Sequence, residues 1–174
     1  KKVVQNSKSR RPGICGAVET LLIDKEFYNN QGNELIDFLI ANGIEIRADK
    51  ALFKNKFIVS VSDSDYGYEF LENILAIKVV EDIDAAISHI RNFGSNHTDC
   101  ILTEDKSASD LFFKKLDSSI LLCNASTQFA DGGEFGFGAE IGISTNKLPP
   151  RGPVGINQLT SYKYEVYGNG ITRS

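Results

Sequence analysis

The feature that most constrains this chain is an alternation, between residues 18 and 123, of short apolar segments with amphipathic ones. Val18 to Ile23 (VETLLI) reads as a buried strand. Asn33 is placed to cap a helix through LIDFLIAN, with Gly43 stopping it. Ile44 to Arg47 alternates as a strand, Ala48 to Phe53 suits one helical turn, and Phe57 to Val61 is a further strand candidate. Leu75 to Val80 (LAIKVV) is a clearer strand. Asp82 then opens a helix whose Ile83, Ala86, Ile87 and Ile90 form one stripe before Gly94. The pattern repeats: strand over Thr98 to Thr103, helix over Ser107 to Leu116 with Leu111, Phe112 and Leu116 inward, strand over Ser119 to Cys123. Strands and helices alternating across short links predict an α/β class, a mostly parallel sheet with flanking helices.

From Asn124 onward the character changes. Gly132, Gly133, Gly136, Gly138 and Gly142 crowd one stretch, and Pro149, Pro150 and Pro153 the next. The expected division is an α/β unit over residues 1–125 and a glycine-rich segment over 126–174. Within that segment only Tyr162 to Tyr167 (YKYEVY) reads as a strand. Such a strand is most stable when added to another sheet edge, in this chain or a neighbour.

At 174 residues, 41% hydrophobic and 24% charged, the chain has the balance of one globular domain with a core, or one domain with an extension. A net charge of -4 argues against a nucleic-acid partner held through its phosphates. No apolar run reaches the length of a bilayer span, so no membrane is expected. The opening KKVVQNSKSRRPG lacks the apolar stretch of a signal peptide, which leads to a cytoplasmic expectation. Cys15, Cys100 and Cys123 are odd in number and widely spaced, fitting neither a disulfide framework nor a zinc site; no metal is expected.

The run GGEFGFGAEIG is not a dinucleotide fingerprint, because its G-x-G-x-x-x-G spacing follows no strong strand; a tight loop is the expectation. Cys15 differs from the other thiols. It follows Pro12-Gly13 in a loop, and Lys8, Arg10 and Arg11 lie close in sequence. Positive charge would favour the thiolate and a loop would give access, so a nucleophile stands beside the plainer reading of an adventitious loop thiol. Cys100 and Cys123 fall in strand patterns and read as core. His89 and His97 read first as structural or solvent-facing; spacing alone leaves a Cys-His pairing open.

Four stretches then carry a resemblance: NSKSRRPGICGAVETLLI around Cys15, VEDIDAAISHIRNFGSNHTDCI from Val80, DSSILLCNASTQFADGGEFGFGAEIGIST from Asp117, and RGPVGINQLTSYKY from Arg151. Together they resemble the C-terminal part of the gamma-glutamyl phosphate reductases (glutamate-5-semialdehyde dehydrogenases), the proline-biosynthesis branch of the aldehyde dehydrogenase superfamily. The resemblance implies an aldehyde dehydrogenase-like catalytic domain followed by a C-terminal oligomerisation strand, and hence a homo-oligomer. It implies that Cys15 attacks L-glutamyl 5-phosphate, expels phosphate and is left as a thioacyl-enzyme. NADP in its reduced form would then reduce the thioester to L-glutamate 5-semialdehyde. Backbone N–H groups at Cys15 would steady the oxyanion.

By the same resemblance Glu69, in YEFLENILAIKVV, corresponds to a carboxylate on the nicotinamide ribose; the alternative is an exposed carboxylate at a strand start. Asn124, Ser126, Thr127 and Arg151 are candidate substrate groups, and Arg151 is open between oxyanion capture and holding a turn. Gly16 stands where the family usually has Asn, and Pro149-Pro150 where it has His-Ala. The family places its cofactor domain before the cysteine, whereas fourteen residues precede Cys15 here. Three readings follow: an oxidoreductase completed by a separate cofactor-domain chain, a truncated non-enzymatic remnant, or a thiol hydrolase using Cys15 without cofactor.

Overall fold

The computed structural model describes residues 1–53 and 55–174. Its spine is a parallel sheet ordered β1-β4-β2-β3, built from β1 (Thr20–Asp24), β2 (Glu45–Ala48), β3 (Val59–Ser60) and β4 (Ile74–Val80). β4 lies between β1 and β2, with Thr20 opposite Ala76 and Ile46 opposite Leu75. Leu75, Ala76 and Ile77 are all buried, the unbroken apolar run of a parallel strand covered on both faces.

Helix α1 (Lys2–Ser9) precedes β1. After β1 the chain turns at once into helix: α2 (Lys25–Phe27), a π turn (Tyr28–Gly32) and α3 (Asn33–Ala41) run on without a break. The cap expected at Asn33 is therefore displaced to Asp24, whose Oδ1 accepts the N–H groups of Glu26 and Phe27 at 2.9 and 3.1 Å. Apolar periodicity starts only at Leu35, so the polar stretch Tyr28–Gly32 concealed the true start. Gly43, at φ +78, turns the chain out of α3 as expected. Leu35, Ile36 and Leu39 pack with Ile23, Ile46, Leu75 and Ile77 in the main core.

A second layer follows. Helix α4 (Ile83–Phe93) is capped by Asp82, which accepts the Ala85 N–H at 2.8 Å. β5 (Thr98–Ile101) and β6 (Ile120–Cys123) pair in parallel around helix α5 (Lys106–Lys115). Ile87, Phe112 and Leu116 form their shared core. The short antiparallel pair β7 (Gly142–Ser144) and β8 (Gly152–Val154) closes the glycine-rich stretch. Gly136 and Gly138 have positive φ in a tight loop, in line with the expectation for that run.

Two expected strands are corrected. Phe57 to Val61 shortens to β3, because Phe57 and Val59 face solvent at the sheet edge. Tyr162 to Tyr167 forms no strand: its residues are exposed, Tyr167 to 90%, and they join none of the sheets formed by the described residues. A pattern can prepare a strand, but the ladder needs a second backbone. Among the described residues no helix is long and apolar enough to cross a membrane.

Leu39 has no exposed surface, so Leu39→Ala is expected to lower stability by about 2–5 kcal/mol in urea denaturation. Phe57, 66% exposed, should shift it by no more than about 0.5 kcal/mol when changed to Ala.

Candidate active site

Cys15 lies in the loop between α1 and β1 and is exposed. The loop is pinned at both ends and from beneath. Val18 N–H and Gln128 Nε2 both donate to the Ser7 carbonyl, at 3.1 and 2.9 Å, and Gln128 Nε2 also reaches the Arg11 carbonyl at 3.3 Å. Ala17 N–H closes a tight turn on Ile14 O at 2.9 Å. Beneath, a 3-10 turn over Thr127–Phe129 presses on the loop. A Cβ on Gly16 would lie 3.0 Å from the Thr127 carbonyl oxygen, so a residue without a side chain lets the two segments meet.

Local charge is not as the sequence suggested. Lys8 is buried and its Nζ is held by Glu19 Oε2 at 2.6 Å, so it is spent on that pair. Burial pushes the Cys15 thiol above its ordinary range, and Glu140 pushes it further. The backbone N–H groups of Cys15 and Gly16 pull the other way; Glu69 adds a smaller upward push. The thiol therefore rests protonated near neutrality, not as the thiolate a basic loop would give.

Glu69 and Glu140 also act on His97, opposing a downward shift caused mainly by burial. The thiol, two carboxylates and one imidazole thus share one electrostatic neighbourhood. His97 Nδ1 is paired with Thr98 Oγ1 at 2.6 Å, while its buried Nε2 has no hydrogen-bond partner among the described residues. Glu140 is held by the Gly132 N–H at 2.6 Å. Sequence reasoning set His97 aside and did not reach Glu140. The usable signal for His97 was its place directly before β5, as Glu69 stands before β4 and Cys15 before β1. His89 is structural: it packs edge-on to Tyr66 at 4.8 Å and beside Phe93 at 4.6 Å.

The four substrate candidates separate. Ser126 and Thr127 are buried under the Cys15 loop, tied through Ser7: Ser7 Oγ donates to Ser126 Oγ at 3.2 Å and accepts the Thr127 N–H at 3.1 Å. The buried Thr127 Oγ1 has no partner. Asn124, at φ +54, spends its side chain on Thr103, accepting from N–H at 2.9 Å and donating to the carbonyl at 2.7 Å. Arg151 binds Asp117 through its carboxylate at 2.9 Å and through its carbonyl, which holds the β8 approach to the end of α5. Cys100 is half-buried and donates to the Ala125 carbonyl at 3.1 Å; Cys123 is half-buried too, so neither is the fully buried core thiol expected. No cluster of three or more metal-ligating side chains occurs among the described residues.

No family model matches the chain. Solved structures do. The crystal structure of gamma-glutamyl phosphate reductase from Thermotoga maritima superposes with a TM-score of 0.89 at 39% identity, covering 99% of this chain and 42% of that one. An acetylating aldehyde dehydrogenase from Geobacillus thermoglucosidasius, 14% identical, gives 0.67 over 97% of this chain and 48% of its own, a likeness of fold. The molecule is thus of the aldehyde dehydrogenase-like α/β class. In sequence, the gamma-glutamyl phosphate reductase of Afipia carboxidovorans is 53% identical over 99% of this chain and 41% of that protein. That of a Bradyrhizobium species is 51% identical over 99% and 40%. Over the stretch it spans, the chain belongs to the gamma-glutamyl phosphate reductase family; that stretch is about two-fifths of the curated relatives' length.

Brief iodoacetamide treatment of the native protein should label Cys15 ahead of Cys100 and Cys123. The rate should keep rising above the pH at which the unfolded chain levels off, since the folded thiol holds its proton more tightly. Glu140→Gln removes a repelling charge and should move the profile to lower pH. Peptide mapping that finds equal labelling, or an unmoved profile in Glu140→Gln, contradicts this account.

Proposed function

We propose that Cys15 is the nucleophile of a gamma-glutamyl phosphate reductase reaction, taking the acyl group of L-glutamyl 5-phosphate. The observation that carries the reading is an accessible thiol in a loop pinned at both ends, whose charged form the Cys15 and Gly16 N–H groups favour. Donors placed there also suit an oxygen that gains negative charge when sulfur adds to a neighbouring carbonyl. The thiol proton must first leave, and we assign its uptake to His97, on which Glu140 and Glu69 act as they do on the thiol. Sulfur then bonds to the acyl carbon, the carbon–oxygen bond to phosphate breaks, and phosphate departs with the electron pair. A thioester remains on Cys15. After reduction the same sulfur is expelled as thiolate, releasing L-glutamate 5-semialdehyde; a thiol serves both steps because it attacks and leaves well. The orphan hydroxyl of Thr127, with Ser126 beside it, is the group we assign to substrate. Arg151 and Asn124 act by holding the turns that frame the site.

NADP fits this chain at one end. Exposed Glu69, in the neighbourhood of the thiol, suits the hydroxyls of a nicotinamide ribose, and the group supplies hydride when bound. The stretch Gly132–Gly142 is loop and strand, not the start of a helix, and offers a pyrophosphate no helix N-terminus. Contacts to the remainder of the cofactor are assigned to a cofactor domain, in the same or a separate chain. Free thiols suit a reducing, cytoplasmic setting.

Mixing the protein with L-glutamyl 5-phosphate should release one equivalent of phosphate per chain and leave the acyl mass on the Cys15 peptide. Cys15→Ser should do neither. An acyl mass on Cys100 or Cys123, or phosphate release unchanged in Cys15→Ser, refutes the assignment.

The same reading gives the tail a role. Tyr162, Tyr164 and Val166 leave unpaired backbone and large apolar side chains exposed, and a partner sheet edge in a homo-oligomer would cover both. Light scattering should show self-association that rises with concentration and is lost when residues 160–174 are removed. A 19.2 kDa monomer at all concentrations would exclude it.

A further inference from the structure

One buried ion pair stands between the segment that carries Cys15 and the segment that carries Glu69. Lys8 has no exposed side-chain surface and its Nζ lies 2.6 Å from Glu19 Oε2, itself 16% exposed. Lys8 is on the last turn of α1 and Glu19 is the residue before β1, so the pair joins the two ends of the Cys15 loop. Beyond Lys8, the backbone N–H groups of Phe70 and Leu71, which follow Glu69 directly, help hold the Glu19 carboxyl down against the rise that its burial causes. The Glu19 carbonyl accepts the Ala76 N–H at 3.0 Å. Leu71 is a non-glycine residue at φ +57, a conformation that L side chains resist. Its carbonyl oxygen lies 3.8 Å from where a Gly13 side chain would begin, two residues before the thiol.

A buried pair of this kind is a poor source of stability, because desolvation offsets most of its attraction. Its geometry has another use. We propose that Lys8 and Glu19 are a positioning pair that clamps the Cys15 loop to the Glu69–Leu71 segment and holds Leu71 left-handed, so that thiol and ribose-binding carboxylate keep a fixed separation. The proposal rests on reading Cys15 as the nucleophile. Neither residue touches the reacting atoms; both act through backbone placed by Glu19.

Two double variants test it. Lys8→Met/Glu19→Gln removes both charges and keeps an oxygen for the Phe70 and Leu71 N–H groups. Lys8→Met/Glu19→Leu removes both charges and the oxygen. Neither leaves a buried charge unpaired. The first should keep the parent's pH profile of Cys15 alkylation. The second should lose the downward pull of the Cys15 and Gly16 N–H groups on the thiol, moving the profile upward by about one pH unit, which is about tenfold in rate at neutral pH. A Leu variant with the parent's melting temperature and profile overturns the proposal. Should that variant not fold, amide hydrogen exchange in the unaltered chain decides: Phe70 and Leu71 must be protected, and exchange at the free-peptide rate overturns the clamp. Equal labelling of all three thiols in the parent strikes the nucleophile reading instead, and leaves the exchange result to speak for the clamp.

Discussion

The parallel pairing of β1 with β4 is the constraint on which the rest depends. Two parallel strands begin at the same edge of their sheet, so the segments leading into them must meet there. Ala76 N–H on the Glu19 carbonyl is the first rung, and Thr20 opposite Ala76 follows it. Through that rung the segments of Cys15 and Glu69, remote in sequence, arrive at one edge, where the Glu69 charge acts on the thiol. Burial of Leu75, Ala76 and Ile77 on both faces of β4 keeps the register, since a slip of one residue would exchange the two faces.

Beneath that edge the interior is polar. Ser7 is its hub, joined through hydroxyl or carbonyl to Ser126, Thr127, Gln128 and Val18. Networks of this sort tolerate little disorder, because each unpaired member in a desolvated place is costly. Among the described residues Ser9 Oγ, Thr127 Oγ1 and Gln128 Oε1 are buried polar atoms of these segments that still lack partners. Bonding capacity left open in a buried polar network is what a further polar group would complete.

Much of this was legible in the residues. The parallel α/β layering followed from apolar runs separated by amphipathic ones, and Asp82 and Gly43 stand where capping chemistry puts them. Cys15 could be singled out by its Pro-Gly turn. Its electrostatics could not be read, because Lys8 looked free in sequence and its partner Glu19 lies across a loop. Arg151 suffered the same ambiguity, and Asp117 resolved it toward a turn. Glu140 escaped since it has no local motif; only folding brings its charge to the thiol. The strand at Tyr162 to Tyr167 was read from alternation, which describes one side of a ladder and says nothing of the other.

Gly16 carries a consequence of a different kind. The bare α-carbon leaves the Thr127 carbonyl oxygen 3.0 Å from the point a side chain would occupy, and that gap acts as a gauge. Residue size at this single place sets how closely the Cys15 loop lies on the 3-10 turn beneath it. Any larger residue must either lift the loop or push that turn down by a few tenths of an ångström. The first outcome would raise the thiol and the second would tilt the Thr127 hydroxyl. In evolutionary terms the position is a tuning screw: one codon adjusts the height of the Cys15 loop.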